Sequence, residues 1–380
     1  MATHKLRWGI LGTADIARKN WLGILNSGNS IVVAVASRNA GRAGQFIQFC
    51  QSHAPMPAVP QAFGCYEELL ASKSVDAVYI PLPTGLRKEW VLSAAAAGKH
   101  VVCEKPCATN LRDLEEMLEA CRRRKVQFLD GVMFMHSRRL QQMRVALDDP
   151  QAIGSIRRIT SAFTFAAPPE FFTQNIRADA AMEPHGCLGD LGWYCIRFSL
   201  WAMRWQMPEH VAGRILAQSE PNKGSAPVLT EFSGELLFKG GASAGFYCSF
   251  LTQNQEWAQV SGANGYLRVE DFVVPFDGRQ IAFEMNNHQF VKSGCEFKME
   301  AHVLRSTVAE HSQARPDTQE ANLFRSFADQ ISSGRLNNDW PEWALKTQAI
   351  MDACLASARC NGQLVPILGA PVSRRRVSRS

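Results

Sequence analysis

No stretch of this 380-residue chain comes near the ~18 uninterrupted apolar residues that a membrane span requires. The apolar run at 8–11 is too short for a secretory h-region, so neither a leader nor a membrane partner is expected. Repeated cysteine spacings are also missing. The eleven cysteines are odd in number and scattered, which argues against a disulfide framework and for a reducing cytoplasm. There is no CxxC pair and no Cys/His cluster of zinc spacing. Cys103 with Cys107 and His185 with Cys187 are the nearest approaches, and they read as thiols beside a site, so no metal is expected. Nucleic-acid-binding motifs are absent, and the net charge of +6 is modest. Part of that charge sits in the tail 371–380, with Arg374, Arg375, Arg376 and Arg379, a segment expected to be solvated and disordered.

What is present is the composition of a globular chain, 46% hydrophobic and 20% charged, long enough for two domains. Over 1–131, short apolar runs alternate with helical patterns. LRWGIL (6–11) precedes a helix at 15–26, IVVAVAS (31–37) one at 40–51, and VDAVYIP (75–81) one at 86–97. HVVC (100–103) precedes a helix at 111–124 with Asn110 as its N-cap, and VQFLDG (126–131) closes the series. This alternation predicts an α/β domain of Rossmann type, a doubly wound parallel sheet built from right-handed βαβ units. Beyond 131 the segments RRITSAFTF, FSGELLFKGG, SAGFYCSF, WAQVSGANGYLRVE and QIAFEM follow with turn residues between them. Helical stretches lie at 187–203, 318–332 and 342–359. A C-terminal α+β domain, 132–370, with an open, mostly antiparallel sheet is expected, and the crevice between the domains is the natural ligand site.

Four short stretches carry chemistry. In GILGTADIA (9–17), Gly12, Ala14 and Ala17 occupy a G-x-G-x-x-[GA] fingerprint at the first strand-to-helix turn, where backbone N–H groups can reach a pyrophosphate. Gly9, Thr13 and Ile16 belong to the same expected cofactor site. Ala14 in place of the middle glycine narrows that approach without forbidding it. The second strand ends VASRNAGRA, with Ser37 and Arg38 and no acid for a ribose 2′-OH. A hydroxyl and a guanidinium suit a 2′-phosphate, so NADP is expected over NAD. If Arg38 only stacks on adenine, both cofactors remain usable. HVVCEKPCAT (100–109) ends a strand in Glu104, Lys105 and Pro106, which a surface ion pair alone does not explain. In GCLGDLGWYCIR, Asp190 and Tyr194 are four apart and share a helix face, and the glycines at 186, 189 and 192 are expected to leave the helix start open to a ligand.

Together GILGTADIA, VYIPLPTGLRKEWVLSAAAAGKHVVCEKP and GCLGDLGWY resemble the glucose–fructose oxidoreductase/inositol dehydrogenase (Gfo/Idh/MocA) family. The likeness continues through SGELLFKGGASAGFYCSF, GANGYLRVED and ALKTQAIMDACLASAR, over nearly the whole chain. It is most similar to the branch holding glucose–fructose oxidoreductase, NADP-dependent xylose dehydrogenase and dimeric dihydrodiol dehydrogenase. The resemblance implies a Rossmann domain plus an open-faced sheet domain that often forms the oligomer interface, hence a homodimer or homotetramer. It implies a commonly cis proline at 106 and a Glu104 near the nicotinamide. It also implies that Lys105 aims its ammonium at a substrate oxygen and lowers the pKa of Tyr194, the proton donor and acceptor. Asp190 would orient the substrate hydroxyl or hold Lys105, Arg177 matches a further active-site position, and Leu82, Pro83 and Thr84 would border the cofactor. FFTQNIRADAAMEPHG and Trp193 would line the pocket. The chain departs from the family at Pro83-Thr84-Gly85-Leu86-Arg87, where Pro-Asn-x-x-His is frequent, although Thr84 can still bond a ribose or carboxamide. It departs also at Asp130, where Glu is usual, and at His136, an aromatic position, where the histidine reads as structural.

The expected activity is NAD(P)-dependent hydride transfer between nicotinamide and a hydroxyl or carbonyl carbon of a sugar, polyol or cyclic diol. Two alternatives stand beside it: the same chemistry with NADP held without dissociation, and a catalytically inactive NADP-binding sensor or scaffold. Retention of Lys105, Asp190 and Tyr194 together argues against the last.

Overall fold

The computed structural model describes residues 5–220 and 226–367; the basic tail lies outside the described residues. The first domain runs β1 (Leu6–Leu11), α1 (Asp15–Ser27), β2 (Ser30–Ala36), α2 (Ala40–His53), β3 (Gln61–Phe63), α3 (Tyr66–Ala71), β4 (Ala77–Ile80), α4 (Thr84–Ala96), β5 (His100–Cys103), α5 (Leu111–Arg123) and β6 (Phe128–Asp130). Its six strands are all parallel, in the order β3-β2-β1-β4-β5-β6. The short pair β3 and α3 was not legible in the sequence: three residues after a proline-rich stretch carry no periodicity. Asn110 caps α5 as expected, its side chain accepting from Asp113 N–H at 2.9 Å.

A 3₁₀ turn (Met133–His136) leads into α6 (Arg138–Asp148), β7 (Ile156–Thr164) and α7 (Phe171–Gln174). After a π turn (Leu188–Gly192) come α8 (Trp193–Ala202), β8 (His210–Gln218), β9 (Leu229–Leu237), β10 (Ser243–Ser249), β11 (Gln255–Gly262), β12 (Tyr266–Val269) and β13 (Ile281–Asn286). A separate hairpin, β14 (Gln289–Ser293) and β15 (Glu296–Glu300), is followed by β16 (Val303–Val308), α9 (Gln319–Ser332), α10 (Asp339–Arg359) and β17 (Val365–Pro366). The large sheet has nine strands, β16-β13-β12-β11-β7-β10-β9-β8-β17, antiparallel except where β10 runs parallel to β7. Alternation along its strands puts Phe232, Ala244, Cys248, Ala258 and Val260 on one face, buried in a common core with Phe198, Ile350 and Cys354 of α8 and α10. The opposite face, with Thr160, Ser233, Tyr247 and Trp257, is only partly covered and carries a hollow of about 430 Å³.

The last third of the chain does not stay with its sheet. Helix α9 lies against α1, and its Phe324 and Phe327 join Trp8, Ile10, Trp21 and Ile24 in a second apolar core on the far face of the parallel sheet. Phe324 meets Trp8 edge-on at 5.1 Å between ring centroids. Each such buried aromatic contributes about 1.5–3 kcal/mol, so residues assigned by sequence to the second domain complete the first.

Candidate active site

The strand order reverses between β1 and β4, and in doubly wound sheets ligands bind at the carboxyl ends beside such a switch point. Gly12, just past β1, has φ 111°, a conformation that requires glycine, and a Cβ there would stand 3.0 Å from Leu82 Cδ2. Ala14 is the N-cap of α1 and offers no capping side chain, and with Ala17 N–H bonded to Ala14 O at 2.9 Å the N–H groups of Asp15 and Ile16 are left for an outside acceptor. Thr13, Ala14 and Ile16 are partly exposed around this turn. The cradle fits a dinucleotide pyrophosphate. Gly9 does not belong to it: inside β1, its Cβ would meet Leu69 Cδ2 of α3 at 2.6 Å, so that glycine serves packing. Ser37 is buried, its N–H bonded to Phe63 O at 3.2 Å, and Arg38 is exposed beside it. Arg42, in the first turn of α2, stands near enough to act with Arg38 on Tyr66, whose phenol burial raises while both cations pull it down. The pair of cations suits a 2′-phosphate, and Arg42 was readable in SRNAGR but not singled out.

At the end of β5 the Lys105–Pro106 peptide is cis. Lys105 Nζ donates to Asp190 Oδ1 at 2.8 Å and to Asp190 O at 2.6 Å. An ammonium has three donors, so one remains for a substrate oxygen. Arg177 Nε pairs with Asp190 Oδ2 at 3.0 Å. Burial alone would raise the Asp190 carboxyl, but the Lys105 and Arg177 cations outweigh it and hold the group down to about 2. Beneath the lysine lies the Tyr194 ring, 4.6 Å from Nζ to centroid, backed by Phe134 and Phe163. That geometry corrects the expectation for Tyr194. Lys105 touches its face and not its hydroxyl, and burial with the Glu104 and Asp190 charges pushes the phenol well above its ordinary value. Tyr194 is therefore a neutral donor at neutral pH. Glu104 is buried and accepts from Tyr79 Oη at 2.6 Å, while Asn20 Nδ2 donates to the same Tyr79 oxygen at 2.6 Å. Neither Tyr79 nor Asn20 stood out in the sequence, because nothing local links them to residue 104.

The helix carrying Asp190 and Tyr194 begins with the π turn, a widened turn frequent at functional sites, and not with a regular α-turn. Its glycines are not openings for ligand. A Cβ at Gly189 would stand 2.7 Å from His185 Cβ and 3.1 Å from Pro106 Cγ, and one at Gly192 2.9 Å from Leu188 Cδ1. Gly186 has φ 48° and backs onto Leu229 O. They let this segment press against Pro106 and the large sheet.

Several expected positions serve structure instead. Thr84 is buried, and its Oγ1 and N–H both go to Glu183, at 2.5 and 3.0 Å, rather than toward a ribose. Arg87, also buried, donates to Leu82 O at 2.7 Å, to Thr84 Oγ1 at 2.8 Å and to Pro106 O. Leu82 is buried under Gly12 and Pro83 is partly exposed at the head of α4. Trp193 is in the core and not in the pocket, its Nε1 donating to Asp130 Oδ2 at 3.3 Å. Asp130 forms a fully buried pair with Arg197 at 2.5 Å. His136 is partly buried against Trp340, with its Nε2 out of reach of solvent, and desolvation drives its pKa down to about 4.

Residues 6–131 match the model of an oxidoreductase family with an NAD-binding Rossmann fold, and residues 140–268 match the GFO/IDH/MocA C-terminal domain. The chain is 31% identical to a dTDP-3,4-didehydro-2,6-dideoxy-alpha-D-glucose 3-reductase of Streptomyces antibioticus over 94% of this chain and 99% of that one. It is 31% identical to D-xylose 1-dehydrogenase (NADP(+)) 2 of Haloferax volcanii over 69% of this chain and 75% of that one. Among solved structures, a 3-ketoreductase from Actinomadura kijaniata in complex with NADP and TDP-benzene superposes with a TM-score of 0.76 at 25% identity, covering 93% of this chain and 98% of that one.

Proposed function

Because the chain belongs to the GFO/IDH/MocA family of NAD(P)-binding oxidoreductases, we propose that it interconverts a ketone and a secondary alcohol on a sugar or cyclic diol with NADP(H). The observation that carries this reading is Lys105, its ammonium pinned by Asp190 at the C-terminal end of β5 with one donor free. Bound NADPH supplies the hydride. The protein's residues supply the charge and the proton. Lys105, Arg177 and Asp190 sum to one positive charge around the reacting oxygen. A cation about 4 Å from a developing alkoxide is worth about 4 kcal/mol at an effective dielectric near 20. Tyr194, kept protonated, delivers its proton to that oxygen in the reductive direction. Arg38 and Arg42 supply the preference for the 2′-phosphorylated cofactor.

A homodimer or homotetramer formed through the partly covered face of the large sheet is part of this reading, supported by the aromatic and hydrogen-bonding side chains there. A reducing, cytoplasmic location is supported by eleven free thiols. The test is a panel of keto-sugars, aldonolactones and hydroxyketones with C4-deuterated NADPH, and with C4-deuterated NADH in parallel. The reading expects direct deuterium transfer to a substrate carbon and a higher kcat/KM with the phosphorylated cofactor. Turnover without label in the product, or none on any member despite tight NADPH binding, would overturn it.

A further inference from the structure

We infer that Glu183 is a latch that fastens the Arg177 loop to the cofactor domain and so positions Arg177 on Asp190. The geometry stands alone, whereas the kinetic consequence rests on the function proposed above. Helix α4 begins at Thr84 behind Pro83, and proline has no side-chain oxygen to cap the helix. The first N–H groups of a helix have no acceptor within it. Glu183, ninety-nine residues along the chain, provides one: Oε1 accepts from Thr84 N–H at 3.0 Å and Oε2 from Thr84 Oγ1 at 2.5 Å. A carboxylate at a helix N-terminus is also favoured by the helix dipole.

The backbones meet at the same place. Gly85 N–H donates to Met182 O at 2.9 Å, and a Cβ at residue 85 would stand 2.7 Å from Ala181 O, closer than any side chain allows. Behind the carboxylate, Arg87 Nη2 lies 3.9 Å from Glu183 Oε1 while its other nitrogens hold Leu82 O, Thr84 Oγ1 and Pro106 O. Glu183 is thus tied, through Arg87, to the residue that follows Lys105.

On its own side the loop is closed by Glu183 N–H to Asp179 O at 2.7 Å and by Arg177 N–H to Asn175 Oδ1 at 3.0 Å. Arg177 is 46% exposed. An ion pair of that exposure contributes at most about 1 kcal/mol, too little to hold a loop in place. Its aim at Asp190 therefore depends on where the loop is anchored. Both Glu183 oxygens are engaged with Thr84, so its role is positioning and not proton transfer.

The test uses the full-length protein with Glu183→Gln and Glu183→Ala. Trypsin cleavage after Arg177 should accelerate about tenfold, since proteolysis reports local opening. The kcat/KM for the sugar substrate should fall about tenfold, with kcat carrying most of the loss, while the NADPH Kd stays within about twofold. Thr84→Val removes one of the two contacts, together with one of the Arg87 hydrogen bonds, and moves both readouts in the same direction should the Glu183 variants fail to fold. Faster cleavage in a protein that turns over no substrate upholds the latch and removes the oxidoreductase reading. Unchanged cleavage at Arg177, or an NADPH Kd that rises as far as kcat/KM falls, overturns the latch.

Discussion

Around the Lys105 ammonium stand one carboxylate, one guanidinium and one neutral phenol, and their balance sets what the site does. Asp190 is lowered to about 2 by its two cations despite burial. A carboxyl depressed in the fold contributes stability that is present above its unfolded value of about 4 and is lost as pH falls toward about 2. Over ordinary assay conditions it does not titrate. Asp190→Asn should therefore lower kcat/KM by about a hundredfold, and the ratio of wild type to variant should stay constant from about pH 5 to about 9. A ratio that changes through that range would mean that Asp190 exchanges a proton in turnover. Lys105 and Asp190 were marked by their motifs and Arg177 by the family resemblance alone, and the fold brings the three within hydrogen-bonding reach. Thr84 and Trp193 were misread for one reason: their partners, Glu183 and Asp130, lie ninety-nine and sixty-three residues away. Polar satisfaction at that range leaves no mark in a local pattern.

At the level of elements, the amphipathic helices and buried strands of the first domain were readable from periodicity, and Asn110 from its capping chemistry. The π turn was not, since an extra residue in a turn has no composition of its own. Nor was the partner of α9, whose apolar face fits either domain on paper and meets α1 in the fold. Phe324→Ala should cost about 3–5 kcal/mol and be visible in urea unfolding; a loss below about 1 kcal/mol would mean that α9 is not part of that core. The 3₁₀ turn joining the domains carries His136, whose pKa burial, with help from Arg197, lowers to about 4. The unfolded chain binds a proton near pH 6.5 that the folded chain refuses, so stability falls as pH drops from about 6.5 to about 4. His136→Gln should flatten that limb of the Tm–pH curve, and an unchanged slope would remove His136 from the account.

For the molecule as a whole, two sheets of different make share one long core, and the proposed catalytic cluster lies where β5 meets the segment leading into α8. The two kinds of sheet are what the strand patterns predicted, because parallel strands buried on both faces and antiparallel strands buried on one leave different signatures, whereas the meeting of Lys105 with Asp190 was implied by the family resemblance. The uncovered sheet face supports the proposed self-association. Trp257→Glu should convert the oligomer to a monomer by light scattering without changing NADPH affinity, and an oligomer of unaltered mass would place the interface elsewhere. The account as a whole depends on a lysine that acts on the substrate and not on the cofactor. Its most direct test is Lys105→Ala, with kcat followed by NADPH absorbance and cofactor binding by fluorescence. The account predicts a fall in turnover of about a thousandfold or more with the NADPH Kd within about threefold of wild type. Near-normal turnover, or loss of NADPH binding in step with turnover, would contradict it.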